Sequence, residues 1–257
     1  MILQKFSLAD RVAIVTGSGR GIGKSIALAF AEAGADVVVL ARTVPEIEKT
    51  SAEIRAMGRR SLAIPTDVRR ADQVTNMVKR AVEEFGRVDI LVNNAGGTFV
   101  TPLLSVSEDG WDAIMRENLK SCFLCSKAVA EVMVKQNKGC IINITSLAAS
   151  IASIGLAPYG AAKAGMISLT QTSAAEWAPY RIRVNVISCG TVLTENMLKN
   201  IFPTPESQAE GAKLNLMRRL GQPEDIALAA IFLASDASSW VTGQTFYING
   251  GVTGVVT

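Results

Sequence analysis

VAIVTGSGRGIG, residues 12–23, passes from a run of small and β-branched apolar residues straight into a glycine-rich turn. A helical pattern, KSIALAFAEAG, follows it. The apolar run shows no polar alternation, as expected of a strand covered on both faces. Glycines at a strand-to-helix turn let the backbone approach a pyrophosphate closely. The helix N-terminus adds N–H donors and the positive end of its dipole. The stretch therefore predicts the first strand–helix unit of a dinucleotide-binding sheet, with Gly17, Ser18, Arg20, Gly21, Ile22 and Gly23 around the phosphates. The spacing G-x-G-x-x-G is not met, because the sixth position is Ile22 counting from Gly17 and Lys24 counting from Gly19. G-x-x-x-G-x-G fits, at Gly17, Gly21 and Gly23.

Outward from this unit the same alternation continues. Strand-like runs recur at 12–16, 36–41, 61–65, 89–93, 140–146, 183–188 and 244–249, with helical patterns between them. Helix starts are marked by Ser107-Glu108-Asp109 before Trp111 and by Pro223-Glu224-Asp225 before Ile226. Repeated strand–helix–strand units predict an α/β Rossmann fold, a doubly wound, mainly parallel seven-stranded sheet with helices on both faces. No linker or low-complexity block divides the chain, so residues 1–257 are expected to form one domain. The rhythm breaks only at about 194–222, where Pro203 and Pro205 suggest an insertion that covers a site.

Composition narrows the function classes. The chain of 257 residues is 49% hydrophobic and 19% charged, and 26 basic against 23 acidic residues leave a net charge of +3. That balance suits a substantial core and gives no basic block for a nucleic-acid backbone. No apolar stretch approaches a membrane span. The segment MILQKFSLADRVAIVTG lacks the basic, apolar and cleavage regions of a signal peptide, and four cysteines make no disulfide framework, so a cytoplasmic location is expected. Cys122 and Cys125 form a C-x-x-C inside a helical run and read as packing residues rather than a redox pair.

Histidine, the usual proton carrier near neutral pH, is absent. A different pair takes its place in LAPYGAAKAGM, residues 156–166. Tyr159 and Lys163 lie four positions apart on a predicted helix and so share a face. A nearby ammonium favours the phenolate and lowers the tyrosine pKa, which makes Tyr159 the candidate acid/base.

The end of the second strand carries the cofactor preference. In such sheets a carboxylate about 20 residues past the glycine turn accepts from the ribose 2′-hydroxyl and repels a 2′-phosphate. This chain has Ala41-Arg42 there, and a guanidinium can pair with that phosphate. Arg20 is placed to converge on the same group. NADP (as NADPH in reduction) is expected in preference to NAD.

Taken together, Thr16-Gly17 with the glycine turn, Asn93-Asn94-Ala95-Gly96 after the fourth strand, Ser146 after the fifth, and Tyr159-x-x-x-Lys163 thirteen residues later resemble the short-chain dehydrogenase/reductase family. Asn118 matches the fourth member of that family's catalytic set, and the resemblance runs from about Leu8 to Gly251. It implies Tyr159 as acid/base and Ser146 as hydrogen-bond donor to the substrate oxygen. Lys163 would tune Tyr159 and hold the nicotinamide ribose, and Asn118 would position a water that links Lys163 to solvent. It also implies adenine contact at Asp67 and Val68, adenine-ribose contact along Asn93 to Gly96, and nicotinamide-side contact at Gly190, Val192 and Thr194. The chain departs from the family's Pro-Gly after the sixth strand, with Cys189-Gly190, and from Asp-Gly-Gly near the end, with Asn249-Gly250-Gly251.

The substrate pocket expected from Gly97, Thr98, residues 147–156, Leu193, Met197, Leu198, Ile201 and Phe202 is apolar, which suits a neutral ketone or secondary alcohol. A 3-oxoacyl-carrier-protein reductase is the alternative within the family. Asn137 and Tyr180 stand near the positions where such reductases present basic residues to the carrier, with Lys138 and Arg181 adjacent. A non-catalytic nucleotide-binding regulator and a dehalogenase-like relative are the remaining alternatives. The intact Ser146, Tyr159 and Lys163 oppose the first, and the glycine turn with Lys163 opposes the second. The tail GQTFYINGGVTG has no polar alternation suited to a free sheet edge, and family resemblance implies a homotetramer packed through it and through the Tyr159 helix.

Overall fold

Seven strands form one sheet in the order β3-β2-β1-β4-β5-β6-β7 in a computed structural model that describes residues 1–251. The strands are β1 (Val12–Thr16), β2 (Asp36–Ala41), β3 (Ser61–Pro65), β4 (Ile90–Asn93), β5 (Gly139–Ser146), β6 (Ile182–Cys189) and β7 (Thr245–Ile248). Every neighbouring pair is parallel. All seven strands expected from the sequence are present, with ends within one residue. The sequence signal was strong because both faces of these strands are covered, so almost every position in β1, β4 and β5 is buried. Residues 252–254 of the tail quoted above lie outside the described residues.

Nine α-helices of the described residues flank the sheet. They are α1 (Gly21–Glu32), α2 (Val44–Ala56), α3 (Ala71–Phe85), α4 (Glu108–Met115), α5 (Ser121–Gln136), α6 (Ala157–Trp177), α7 (Glu195–Asn200), α8 (Pro205–Lys213) and α9 (Pro223–Ala234). Alternate strand residues divide the core. Ala13, Val15 and Ile142 pack with Ile26 and Phe30 of α1, Ile47 of α2 and Leu233 of α9. Ile14, Leu91 and Ile141 pack with Met77 of α3, Val129 of α5 and Ala174 of α6 on the other face. Ser107 caps α4 by accepting from the Gly110 N–H at 3.1 Å, as its sequence signal predicts.

Strand order reverses between β1 and β4. Helices α1 and α3 therefore leave the sheet on opposite sides, and a crevice opens at the carboxyl ends of these strands. Between α4 and α5 the helix widens into a π-turn, Arg116–Lys120. The sequence reads this region as an uninterrupted helix, because an extra residue in one turn leaves no mark on residue type. Such turns are frequent at functional sites, and this one carries Asn118. No helix among the described residues is long and apolar enough to cross a membrane. Helices α7 and α8 occupy the segment expected to be an insertion.

Candidate active site

The glycine turn is built by close backbone packing. Gly17 and Gly21 have φ of 66° and 56°, a region that only glycine enters freely. A Cβ on Gly23 would overlap the Gly17 carbonyl and the Asn94 side chain. Thr16 ties the turn to the end of β4, since its Oγ1 accepts from the N–H groups of Asn94 and Ala95, both at 2.9 Å. Asn94 Nδ2 donates back to the Thr16 carbonyl at 3.0 Å. These bonds hold two strand ends level at the reversal point.

The crevice is a cleft of about 300 Å³, within the range of small-molecule sites. Gly17, Arg20, Gly21, Ile22, Arg42, Asp67, Val68, Asn94, Ala95, Gly96 and Thr194 line it, all of them expected from the sequence. Ser18 and Gly23 are structural instead. The Ser18 hydroxyl donates to the Val15 carbonyl at 2.7 Å and accepts from the Leu40 N–H at 2.9 Å, which clamps β1 to β2. Asn93 likewise points away from the cleft. Its Nδ2 donates to Ser126 Oγ and Asn143 Oδ1, both at 2.8 Å, because strand alternation turns it toward α5. Gly190 and Val192 line a separate pocket of about 90 Å³, where Val192 is bridged to Gly221. The backbone cradle left by Gly17, Gly21 and Gly96 and the size of the cleft fit an adenine dinucleotide.

Ser146 and Cys189 end β5 and β6 side by side. The Ser146 hydroxyl accepts from the Ala148 N–H at 3.3 Å and also hydrogen-bonds the Tyr159 hydroxyl. Helix α6 presents Tyr159 and Lys163 together, with Lys163 Nζ 5.5 Å from the centre of the phenol ring. Gly160 lets α6 approach closely, since a Cβ there would lie 2.7 Å from the Ala148 carbonyl. Lys163 is buried, and its Nζ donates to the Ile144 carbonyl at 3.0 Å. Asn118 Nδ2 donates to the carbonyls of Gly97 at 2.8 Å and Ile114 at 3.0 Å, while its buried Oδ1 has no partner. A Cβ on Gly96 would lie 2.5 Å from that Oδ1 and 3.5 Å from Lys163 Nζ. Gly96 therefore keeps open the space between Asn118, Lys163 and the cleft.

In the free protein, burial acts on both members of the tyrosine–lysine pair. Burial raises the Tyr159 pKa above the ordinary phenol value, with hydrogen bonding from Ser146 pulling it back and Cys189 adding to the rise. Burial also lowers the Lys163 pKa, to about 8, which leaves it mainly cationic near neutral pH. Cys189 is pushed up to about 12 by burial and is unreactive there. Cys122 and Cys125 are buried in α5 with free thiols, as packing residues should be.

Sequence reasoning missed Glu117, which enters the cleft from the π-turn, and Glu46, which faces Arg20. No motif marks either residue. It also missed Phe99 and Val100, which sit exposed beside the loop at 150–156. That pair of loops is joined by the Thr101 N–H donating to the Gly155 carbonyl at 3.0 Å.

Residues 17–253 match the family model described as enoyl-(acyl carrier protein) reductase. A 3-oxoacyl-[acyl-carrier-protein] reductase of Synechocystis sp. is 42% identical over 248 residues, covering 96% of this chain and 98% of its own. A gluconate 5-dehydrogenase of Burkholderia cenocepacia, solved with NADP and tartrate, superposes with a TM-score of 0.93 at 36% identity over all of both chains. A 7α-hydroxysteroid dehydrogenase solved with NADH and 7-oxo glycochenodeoxycholic acid also gives 0.93, at 37% identity over 99% of each chain. Fold and relatives together define an oxidoreductase acting on CH–OH groups. The chain belongs to the short-chain dehydrogenase/reductase family.

Proposed function

We propose that the chain is an NADP-dependent reductase or dehydrogenase of neutral, fairly apolar ketones or secondary alcohols, with Tyr159 as acid/base. The observation that carries this reading is the convergence of Ser146, Tyr159, Lys163 and Asn118 beside a glycine-walled cleft. Bound NADPH supplies the hydride in reduction. Tyr159 delivers its phenolic proton to the carbonyl oxygen and takes it back in the reverse direction. Ser146 donates to the same oxygen, where negative charge develops. Lys163 faces the phenolate left behind and holds the nicotinamide ribose. The unpartnered Oδ1 of Asn118 is an acceptor next to Lys163, on the side from which a proton can be resupplied.

Arg42 and Arg20 in the cleft support NADP over NAD. The exposed apolar side chains Phe99, Val100, Ile151, Leu198 and Ile201, in or beside the segments expected to wall the substrate pocket, support an apolar substrate. A screen of ketones, secondary alcohols and a 3-oxoacyl thioester with both cofactors tests the reading. Turnover with NADPH and apolar ketones is expected. Faster turnover of the thioester would favour the carrier-protein reductase reading, which the 42% identical Synechocystis relative supports. In the same assay Arg42→Asp is expected to reverse the preference toward NAD by at least about tenfold, from loss of one charge-assisted pair and gain of a repulsion. A wild type that already prefers NAD contradicts the NADP assignment.

A homotetramer packed through β7 and α6 goes with this reading. Among the described residues strand β7 pairs with β6 alone, and Tyr247 on it is half exposed. Sedimentation at micromolar concentration should show a tetramer, and a monomer there would overturn the assembly.

A further inference from the structure

We infer that Glu117 sets discrimination for the 2′-phosphate by holding Arg42 across the cleft. This rests on the cleft being the seat of an adenine dinucleotide, as proposed above. Arg42 Nη2 and Glu117 Oε1 are 3.9 Å apart, and both side chains line the cleft from opposite walls, the end of β2 and the π-turn. The fold makes room for that carboxylate, because a Cβ on Gly97 would lie 2.8 Å from Glu117 Oε2.

The other cations nearby are already engaged. Arg69 grips Asp67 with contacts of 2.6 and 2.8 Å, and Arg20 Nη1 lies 3.8 Å from Glu46 Oε1. Arg42 and Arg69 thus each face a carboxylate, Glu117 and Asp67. A phosphate dianion that pairs with Arg42 comes to lie beside the Glu117 carboxylate. The repulsion acts on a 2′-phosphate and leaves an unphosphorylated ribose untouched. Glu117 is therefore a specificity-determining residue that moderates the attraction of Arg42 for the 2′-phosphate.

Calorimetric titration of the full chain with 2′,5′-ADP and with 5′-AMP separates the two effects, since the probes differ only in the 2′-phosphate. Glu117→Gln is expected to tighten 2′,5′-ADP by about fivefold at low salt and to leave 5′-AMP within about twofold. Gly97→Ala, which pushes the carboxylate out of its place, should move 2′,5′-ADP the same way. Unchanged 2′,5′-ADP binding in a folded Glu117→Gln, or equal changes for both probes, overturns the inference. A wild type that binds 5′-AMP more tightly than 2′,5′-ADP would defeat the NADP assignment alone, because the variant-to-wild-type ratio still reads Glu117. Binding of neither probe to any form overturns both.

Discussion

Tyr159→Phe is expected to lower kcat by about a thousandfold while cofactor affinity stays within about twofold. The substitution keeps the ring and removes only the hydroxyl, so packing against α6 and the strand ends is retained. General acid–base catalysis by a positioned group contributes about 10²–10⁴ in rate, and the sequence holds no histidine to substitute for it. The other candidate, Ser146, carries an aliphatic hydroxyl, too weak an acid to be the proton source, and serves as a hydrogen-bond donor. Steady-state kinetics on an active ketone, with cofactor titration in parallel, makes the separation. A variant that keeps more than about a tenth of wild-type kcat would assign the proton to another group.

Lys163→Met is expected to do two opposite things. Activity falls, since the charge facing the phenolate and the hold on the ribose are both lost. Stability at neutral pH rises. In the folded protein Lys163 releases its proton near pH 8, whereas the unfolded chain keeps it to about 10.5. Between those values the unfolded state binds more protons, so wild-type stability increases with pH across that window. Below pH 8 the whole penalty of burying the ammonium is present. The span corresponds to about 3 kcal/mol, and loss of the bond to the Ile144 carbonyl returns about 1 kcal/mol. The variant should therefore be more stable than wild type by about 2 kcal/mol at pH 7, with the gain fading between pH 8 and 10.5. Urea unfolding at pH 7 and pH 10 measures this directly. A variant less stable than wild type at pH 7 would mean that the buried ammonium is net stabilising, contrary to its depressed pKa.

The two substitutions bear on the same feature, a proton carrier assembled without histidine. Burial raises the Tyr159 pKa and lowers that of Lys163, which brings the two titrations toward one another.

What the sequence determined was what local pattern can carry. Continuous apolar runs, β-branched residues and glycines with positive φ are read within a few positions of the chain, and they placed all seven strands and the turn after β1. The i, i+4 relation of Tyr159 and Lys163 is equally local. Side-chain direction at strand ends was not legible, which is why Ser18 and Asn93 proved to be clamps within the scaffold. Nor could spacing show that Glu117 faces Arg42, since the two are 75 positions apart and meet only because the sheet reverses between β1 and β4 and a π-turn swings one residue into the cleft. Burial decided the charge states. A lysine reads as an ordinary cation in any sequence, and only the packing of α6 on β5 removes the water that would keep its pKa at the usual value.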